Sequence, residues 1–262
     1  AKSLAAAETW QKTSPESRAQ LLHELGNQLE AHRGELIEVM ISEAGKTFEQ
    51  ADPEVSEAVD FAHYYAERSL ELANLDGARH LPENLVLVTP PWNFPVAIPA
   101  GSTIAALAAG SAVLLKPAPQ VNRCGALLGE ILNKAGLPQD LLTTVVVDEG
   151  ELGRKLISHK AVDRVVLTGA FETAKLFKSF KPELKLIAET SGKNAIIVTE
   201  SADLDLAAKD VVHSAFGHAG QKCSAASVVI LVGSVAKSKR LLNQLVDATT
   251  SLVVDYATNS LA

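Results

Sequence analysis

The sequence has few aromatic residues, few cysteines and no excess of positive charge. Aromatics make up 5% of its 262 residues, and there are two cysteines. Two cysteines provide no disulfide framework, and no secretory signal pattern opens the sequence, so a reducing compartment, the cytoplasm, is expected. The net charge is -7 and no stripe of Lys and Arg stands out, which argues against nucleic acid as a partner. The spacing of His and Cys fits no metal site.

An uninterrupted apolar run of membrane-spanning length is also missing. The longest run, from Val96 to Leu115, is broken by Pro99, Gly101 and Gly110. We therefore expect a buried helix followed by a buried strand, and no membrane span. With 47% hydrophobic and 21% charged residues, the composition is that of a soluble globular protein. Low aromatic content with abundant Ala, Leu and Val favours an α/β fold whose helices cover buried strands.

Residues 1–75 follow a helical pattern, with apolar residues recurring at the spacing of a helix face. The segment Thr13-Ser14-Pro15-Glu16 places a Ser cap before Pro, which predicts the start of a helix. Gly45-Lys46 predicts the end of a helix, and Asp52-Pro53 predicts the beginning of the next one.

From residue 85 onward, apolar strand patterns alternate with helical ones. Strands separated by helices of this length require right-handed parallel crossovers, so we predict a doubly wound parallel sheet. Ligands of such sheets bind at the carboxyl ends of the strands. The predicted strands cover 85–89, 113–115, 142–147, 165–168 and 184–188. The residues near the ends of these strands that could contact a ligand are Asn93, Lys116, Gly169 and Glu189.

A second α/β pattern begins after residue 191, where we set a domain boundary. The sequence therefore divides into a larger domain, 1–191, and a smaller one, 192–262. In the smaller domain we predict strands at 194–198 and 228–232 and helices at 203–216 and 235–249.

The turn between those elements, Gly220-Gln221-Lys222-Cys223-Ser224-Ala225, places a thiol among small residues. A thiol reacts as the thiolate, and the adjacent Lys222 favours that form. Cys124 lies on an apolar helical face and is expected in the core. Besides a reactive thiol, two alternative roles for Cys223 stay open at this point. One is a packed free thiol, and the other is the nucleophile of a cysteine hydrolase that uses His213 or His218 as its base.

Five motifs, in order and at matching intervals, resemble the NAD(P)-dependent aldehyde dehydrogenase superfamily. They are Pro91-Trp92-Asn93-Phe94-Pro95, Leu115-Lys116-Pro117-Ala118, Leu167-Thr168-Gly169, Glu189-Thr190-Ser191-Gly192-Lys193-Asn194 and Gly220-Gln221-Lys222-Cys223. The segments around Cys223 and Gly192 are most similar to the pyrroline-5-carboxylate (glutamate semialdehyde) dehydrogenases, particularly the dehydrogenase module of bifunctional proline-catabolism proteins. The resemblance implies a Rossmann-like NAD(P)-binding domain at 1–191, with an N-terminal helical segment, and an incomplete α/β catalytic domain at 192–262.

The activity implied by the resemblance is oxidation of glutamate 5-semialdehyde, a small-molecule aldehyde, to glutamate with NAD or NADP. Cys223 would be the nucleophile, forming a thiohemiacetal and then a thioester. Asn93 would donate to the oxyanion. Glu189 would activate water for hydrolysis, and its place at the end of an apolar strand predicts a buried carboxylate. Ser224 would contact the substrate carboxylate, although ordinary turn chemistry accounts for it equally well.

A cofactor site is implied as well. Lys116 would reach ribose hydroxyls, and Gly169 would let a pyrophosphate approach a helix N-terminus. The sequence departs from the family pattern at Pro119, where many members carry a ribose-binding Glu, and this leaves the choice between NAD and NADP open. It departs again at Ala170, where Ser is common. The implied cofactor-binding residues are Pro91, Trp92, Lys116, Gly169 and Ala170.

Members of this superfamily are longer than this chain, so the resemblance implies a C-terminal truncation. We expect little or no turnover from the chain alone. The alternative function is a non-catalytic nucleotide-binding or assembly fragment that keeps the motifs. The exposed apolar edge of such a fragment favours a homo-oligomer.

Overall fold

Four α-helices form the first part of the chain in the computed structural model, which describes residues 1–72 and 74–256. Their bounds are α1 (Lys2–Gln11), α2 (Pro15–Ala31), α3 (Arg33–Ala44) and α4 (Phe48–Leu72). The Ser14 side chain accepts a hydrogen bond from the backbone N–H of Ser17 and caps α2. Gly45, in the left-handed conformation, ends α3. The predicted start of α2 and end of α3 are confirmed.

The predicted start of α4 at Asp52-Pro53 is wrong, because Pro53 lies inside the helix. The helix begins earlier, where the carbonyl of Thr47 accepts from the N–H groups of Gln50 and Ala51. Proline there removes one backbone donor near the start of the helix. The guanidinium of Arg33 donates to the Asp52 carbonyl oxygen at 3.1 Å and so ties this turn of α4 to the start of α3. The buried face of α4 also continues across Pro53, which favours the longer helix.

Five parallel strands follow and form one sheet in the order β3-β2-β1-β4-β5. The strands are β1 (Leu85–Thr89), β2 (Ala112–Leu115), β3 (Leu142–Thr144), β4 (Arg164–Gly169) and β5 (Leu186–Thr190). The helices between them are α5 (Ala97–Ala108), α6 (Asn122–Lys134), α7 (Glu151–Ser158) and α8 (Phe171–Phe180). The chain winds outward in both directions from the centre of the sheet, so the predicted doubly wound α/β fold is confirmed. The order reverses between β1 and β4, which makes this the topological switch point.

The apolar run from Val96 to Leu115 supplies the buried helix α5 and the buried strand β2, as predicted. Trp10 of α1 is buried, and its indole N–H donates to the carbonyl oxygen of Leu107 at 2.8 Å. This bond fixes the first helix against α5. Within residues 1–72 and 74–256, no helix combines the length and the apolar character needed to cross a membrane.

The remaining elements are β6 (Asn194–Val198), α9 (Leu204–Phe216), β7 (Ala226–Leu231) and α10 (Lys239–Thr250). Strands β6 and β7 pair in parallel, and a small core forms around Val198, Ala208 and Leu241. The prediction of one continuous helix over 235–249 is wrong. A short 3-10 turn, Gly233–Lys237, precedes α10, because the Ser238 side chain caps a new helix by accepting from the Leu241 N–H at 3.2 Å.

The chain divides into two compact units, Ala1–Thr190 and Ser191–Ala262, here called the first and second units. The sequence pattern set a domain boundary one position later, after residue 191. The end of the predicted second domain, 257–262, lies outside the described residues.

Candidate active site

The segment that follows β1 carries Pro91, Trp92 and Asn93. Trp92 is 39% exposed, and Pro91 and Asn93 are half-buried. The ε-ammonium of Lys46 donates to the backbone carbonyl oxygen of Asn93 at 3.1 Å. It also lies 4.1 Å from the centre of the Phe94 ring, within cation–π range. Lys46 therefore fixes the backbone of this segment through its contacts with Asn93 and Phe94.

Lys46 is itself fixed by a buried ion pair with Glu54 of α4, whose side chains are 2% and 0% exposed. The Glu54 carboxylate also accepts the N–H groups of Val96 and Ala97, at 2.8 and 3.1 Å. These two donors open α5, so one carboxylate caps that helix and neutralises Lys46. Burial is the main influence on the Glu54 carboxyl and raises its pKa, while Lys46 and the two backbone donors act in the opposite direction.

Neither Lys46 nor Glu54 was found by reasoning from the sequence. One signal was available, because Glu54 lies on the same face of α4 as the buried residues Ala51, Val55 and Ala58. A charged residue on an apolar helix face requires a partner, since an unpaired buried charge is costly.

Lys116 lies at the carboxyl end of β2, as predicted. Its side chain is 10% exposed, and its ε-ammonium is 3.6 Å from a carboxylate oxygen of Glu149. The ammonium also reaches the carbonyl oxygen of Pro117 at 3.5 Å. Pro119 begins a short 3-10 turn, Pro119–Val121, beyond this lysine.

Gly169 ends β4, and Ala170 immediately precedes α8 in an extended conformation without a side-chain cap. The carbonyl of Ala170 accepts from the N–H of Thr173 at 3.1 Å. The helix dipole places partial positive charge at this helix start, which suits an anion. Gly169 and Ala170 lie directly before this helix start, and their contact with a pyrophosphate stays a prediction.

Glu189 lies in β5, but its side chain is exposed and not buried as the strand pattern predicted. The reason is its position in the sheet. Among the described strands β5 pairs with β4 alone, so it forms the edge of the sheet. The apolar strand pattern gave no indication that this strand lies at an edge.

In the second unit, Cys223 and Ser224 are exposed and lie in the turn before β7. The side-chain amide of Asn194 donates to the carbonyl oxygens of Cys223 and Ala225 at 2.6 and 3.1 Å. Asn194 is a further residue that sequence reasoning did not single out, although it stands in one of the five motifs. It fixes the backbone on both sides of Ser224.

The turn before the cysteine has an unusual backbone. His218 and Ala219 have φ values of 55° and 53°, and Gly220 has a φ of 70°. Three successive left-handed residues, two of them not glycine, cost energy and are found mostly at functional sites. A Cβ on Gly220 would lie 3.1 Å from the carbonyl oxygen of Ala215, so this position is also crowded.

The other cysteine has a structural position, and His218 contacts its own turn. Cys124 is buried, which confirms its predicted core position, and burial raises its pKa. The Glu43 carboxylate accepts the backbone N–H groups of Arg123 and Cys124 at 2.9 and 2.7 Å and thereby caps α6. The Nδ1 atom of His218 lies 3.2 Å from the carbonyl oxygen of Gln221. If it donates there, the other ring nitrogen is the acceptor.

Four predicted site residues lie at the carboxyl end of the first unit's sheet. They follow or lie near the ends of β1, β2, β4 and β5 and are Asn93, Lys116, Gly169 and Glu189. A profile described as "Aldehyde dehydrogenase family" matches residues 1–260. The chain belongs to the aldehyde dehydrogenase family. The predicted family is thus confirmed.

Relatives within this family share the chain's sequence and its fold. A 1-pyrroline-5-carboxylate dehydrogenase from Geobacillus thermodenitrificans is 38% identical, over 94% of this chain and 51% of its own length. The structure of Proline Utilization A from Corynebacterium freiburgense is 52% identical with a TM-score of 0.91, over 98% of this chain and 26% of that protein.

A Thermus 1-pyrroline-5-carboxylate dehydrogenase with bound NAD is 32% identical with a TM-score of 0.92, over 97% of this chain and 53% of that protein. The chain spans about half the length of the curated relatives it matches.

Proposed function

We propose that this chain is the cofactor-binding and nucleophile-bearing part of an NAD(P)-dependent aldehyde dehydrogenase that oxidises glutamate 5-semialdehyde to glutamate. The relatives' names support this substrate, and the carboxyl edge of the first unit's sheet supports the cofactor. We propose the first unit as the nucleotide-binding domain and the second as part of the catalytic domain. A cytoplasmic location fits its two free thiols.

The residues at the sheet edge fit a dinucleotide. Pro91 and Trp92 follow β1, and Gly169 ends β4, so these residues flank the topological switch point where such ligands bind. The start of α8 after Ala170 suits a pyrophosphate, because the helix dipole places partial positive charge there. The ε-ammonium of Lys116 suits ribose hydroxyls because it offers three donors.

Cys223 supplies the nucleophile in this proposal. Its thiolate adds to the aldehyde carbon, and the carbonyl oxygen becomes an oxyanion stabilised by the amide of Asn93. A bound nicotinamide would accept the hydride that leaves this carbon, so that a thioester remains on Cys223. Glu189 then takes a proton from water, which attacks the thioester and releases the acid and the free thiol. Ser224 is proposed to contact the substrate carboxylate.

The observation that carries the proposal is the gathering of four predicted residues at one sheet edge in a chain of this family. The test is reduction of the nicotinamide by stoichiometric amounts of the chain mixed with the semialdehyde. We expect reduction that Cys223→Ala abolishes and Cys124→Ala preserves. Equal reduction by both variants would overturn the role of Cys223.

A second candidate is nucleotide binding without turnover, by a chain that associates with further copies or partners. It is favoured by the coverage of about half of each relative. It is also favoured by exposed apolar side chains in the second unit, among them Ile197, Leu242 and Val254. Calorimetric binding of NAD(P) without any reduction would select this candidate.

A further inference from the structure

Lys116 and Glu149, which lie beyond the carboxyl ends of the neighbouring parallel strands β2 and β3, form an ion pair. Lys116 immediately follows β2, and Glu149 lies between β3 and α7. The closest approach of their charged atoms is 3.6 Å, and their side chains are 10% and 68% exposed. The carboxylate therefore stands at the solvent side of a mostly buried ammonium.

The backbone around Glu149 is fixed by local bonds. Strand β3 stops at Thr144, shorter than predicted, and its last contact with β2 is the N–H of Val145 donating to Leu115 at 2.8 Å. Asp148 then accepts the N–H of Gly150 on its carboxylate at 3.2 Å and that of Gly153 on its carbonyl at 2.9 Å. The loop thereby turns back at the sheet edge that holds Lys116.

Position 119 supplies no carboxylate here, since it is Pro119 at the start of a 3-10 turn. We propose that Glu149 takes that place and sets the preference of the cofactor site for NAD over NADP. This inference rests on the proposed function, in which Lys116 binds the adenosine ribose. A carboxylate beside that lysine accepts a hydrogen bond from a ribose 2′-hydroxyl. It repels the 2′-phosphate of NADP, because both groups are negatively charged.

The surroundings of Glu149 set the size of the effect. Because its side chain is largely exposed, the repulsion is screened by salt. We expect removal of the charge to tighten NADP binding by about tenfold at low ionic strength and by less at high ionic strength. NAD binding should change little or weaken, since a neutral amide still accepts from a hydroxyl.

The test compares Glu149→Gln with Glu151→Gln in the full chain. Both variants lose one negative charge, and Glu151 lies two positions away, where it pairs with Lys155 on the surface of α7. The dissociation constants of NAD and NADP are measured by calorimetry at low and high salt, and circular dichroism verifies the fold.

We expect the NADP-to-NAD ratio of dissociation constants to fall about tenfold in Glu149→Gln and to stay unchanged in Glu151→Gln. The same ratio in both variants, with both nucleotides still bound, would overturn the inference and leave the proposed function standing. Failure of the unchanged chain to bind either nucleotide would overturn the proposed function, and the inference with it.

Discussion

The ε-ammonium of Lys46 donates to the backbone carbonyl of Asn93 across 3.1 Å, so the proposed oxyanion donor is held by a residue from the end of α3. The same ammonium pairs with Glu54, which caps α5 immediately after the Asn93 segment. One buried pair thus joins α4, α5 and the loop after β1.

Replacing Lys46 tests the energy of this pair. Lys46→Met leaves the Glu54 carboxylate buried without its cation, and we expect a loss of about 3–5 kcal/mol in the free energy of unfolding. The double variant Lys46→Met/Glu54→Gln should recover part of this loss, since a neutral amide can still accept from the α5 donors. Urea unfolding of the two single variants and the double variant measures the coupling. The exposed pair Glu151–Lys155 is the matched control and should show a coupling below about 1 kcal/mol.

The same variant should change how stability depends on pH. Lys46 lowers the pKa of Glu54, so its removal leaves burial to raise that pKa further above the ordinary value of 4.5. A raised folded-state pKa adds stability that is complete below the unfolded value and is lost as pH rises through the folded value. The destabilisation by Lys46→Met should therefore be smallest below pH 4.5 and grow towards neutrality. Urea midpoints across this range measure it, and a pH-independent difference would contradict this role of Lys46.

A glycine supports the loop that carries Lys116. A Cβ on Gly125 of α6 would lie 2.1 Å from Pro117 Cγ, too close for any real contact. We expect Gly125→Ala to cost about 1–3 kcal/mol and to weaken nucleotide binding, because Pro117 must move. Gly34→Ala is the control, since its added Cβ meets nothing within 4 Å and alanine favours a helix. Thermal unfolding of the two variants measures this difference in stability. Equal melting temperatures would contradict the close packing of Gly125 against Pro117.

Asn194 should control the order of the cysteine turn. Asn194→Asp keeps the shape of the side chain but removes the donors to the carbonyls of Cys223 and Ala225. We expect a loss of about 1–3 kcal/mol in the stability of the turn. Hydrogen exchange at residues 218–225 should accelerate accordingly. Asn243→Asp, at an exposed position of α10, should leave this exchange unchanged.

Most helices and strands could be predicted from local sequence patterns. Strands β1 and β6 begin and end where the apolar runs placed them, and the Ser14 cap was visible in four residues. These features depend on neighbours in sequence, so their signals are local. Pro53 was misjudged because the buried face of α4 outweighs its lost hydrogen bond.

Long-range features of the candidate site could not be predicted in the same way. The bond from Lys46 to Asn93 joins residues far apart in the sequence, and no pattern in either segment indicates it. The approach of Glu149 to Lys116 depends on the register of β2 and β3. The exposure of Glu189 depends on the order of strands, which an apolar pattern does not specify.

The most direct test of the central claim is the mass of the Cys223 peptide from Glu189→Gln, mixed with glutamate semialdehyde and NAD(P) and quenched in acid. Without the Glu189 base, thioester hydrolysis slows, and we expect a glutamyl thioester on the Cys223 peptide and none on the Cys124 peptide. An unmodified Cys223 peptide, or an acyl group on another residue, would contradict the assignment of Cys223 as the nucleophile.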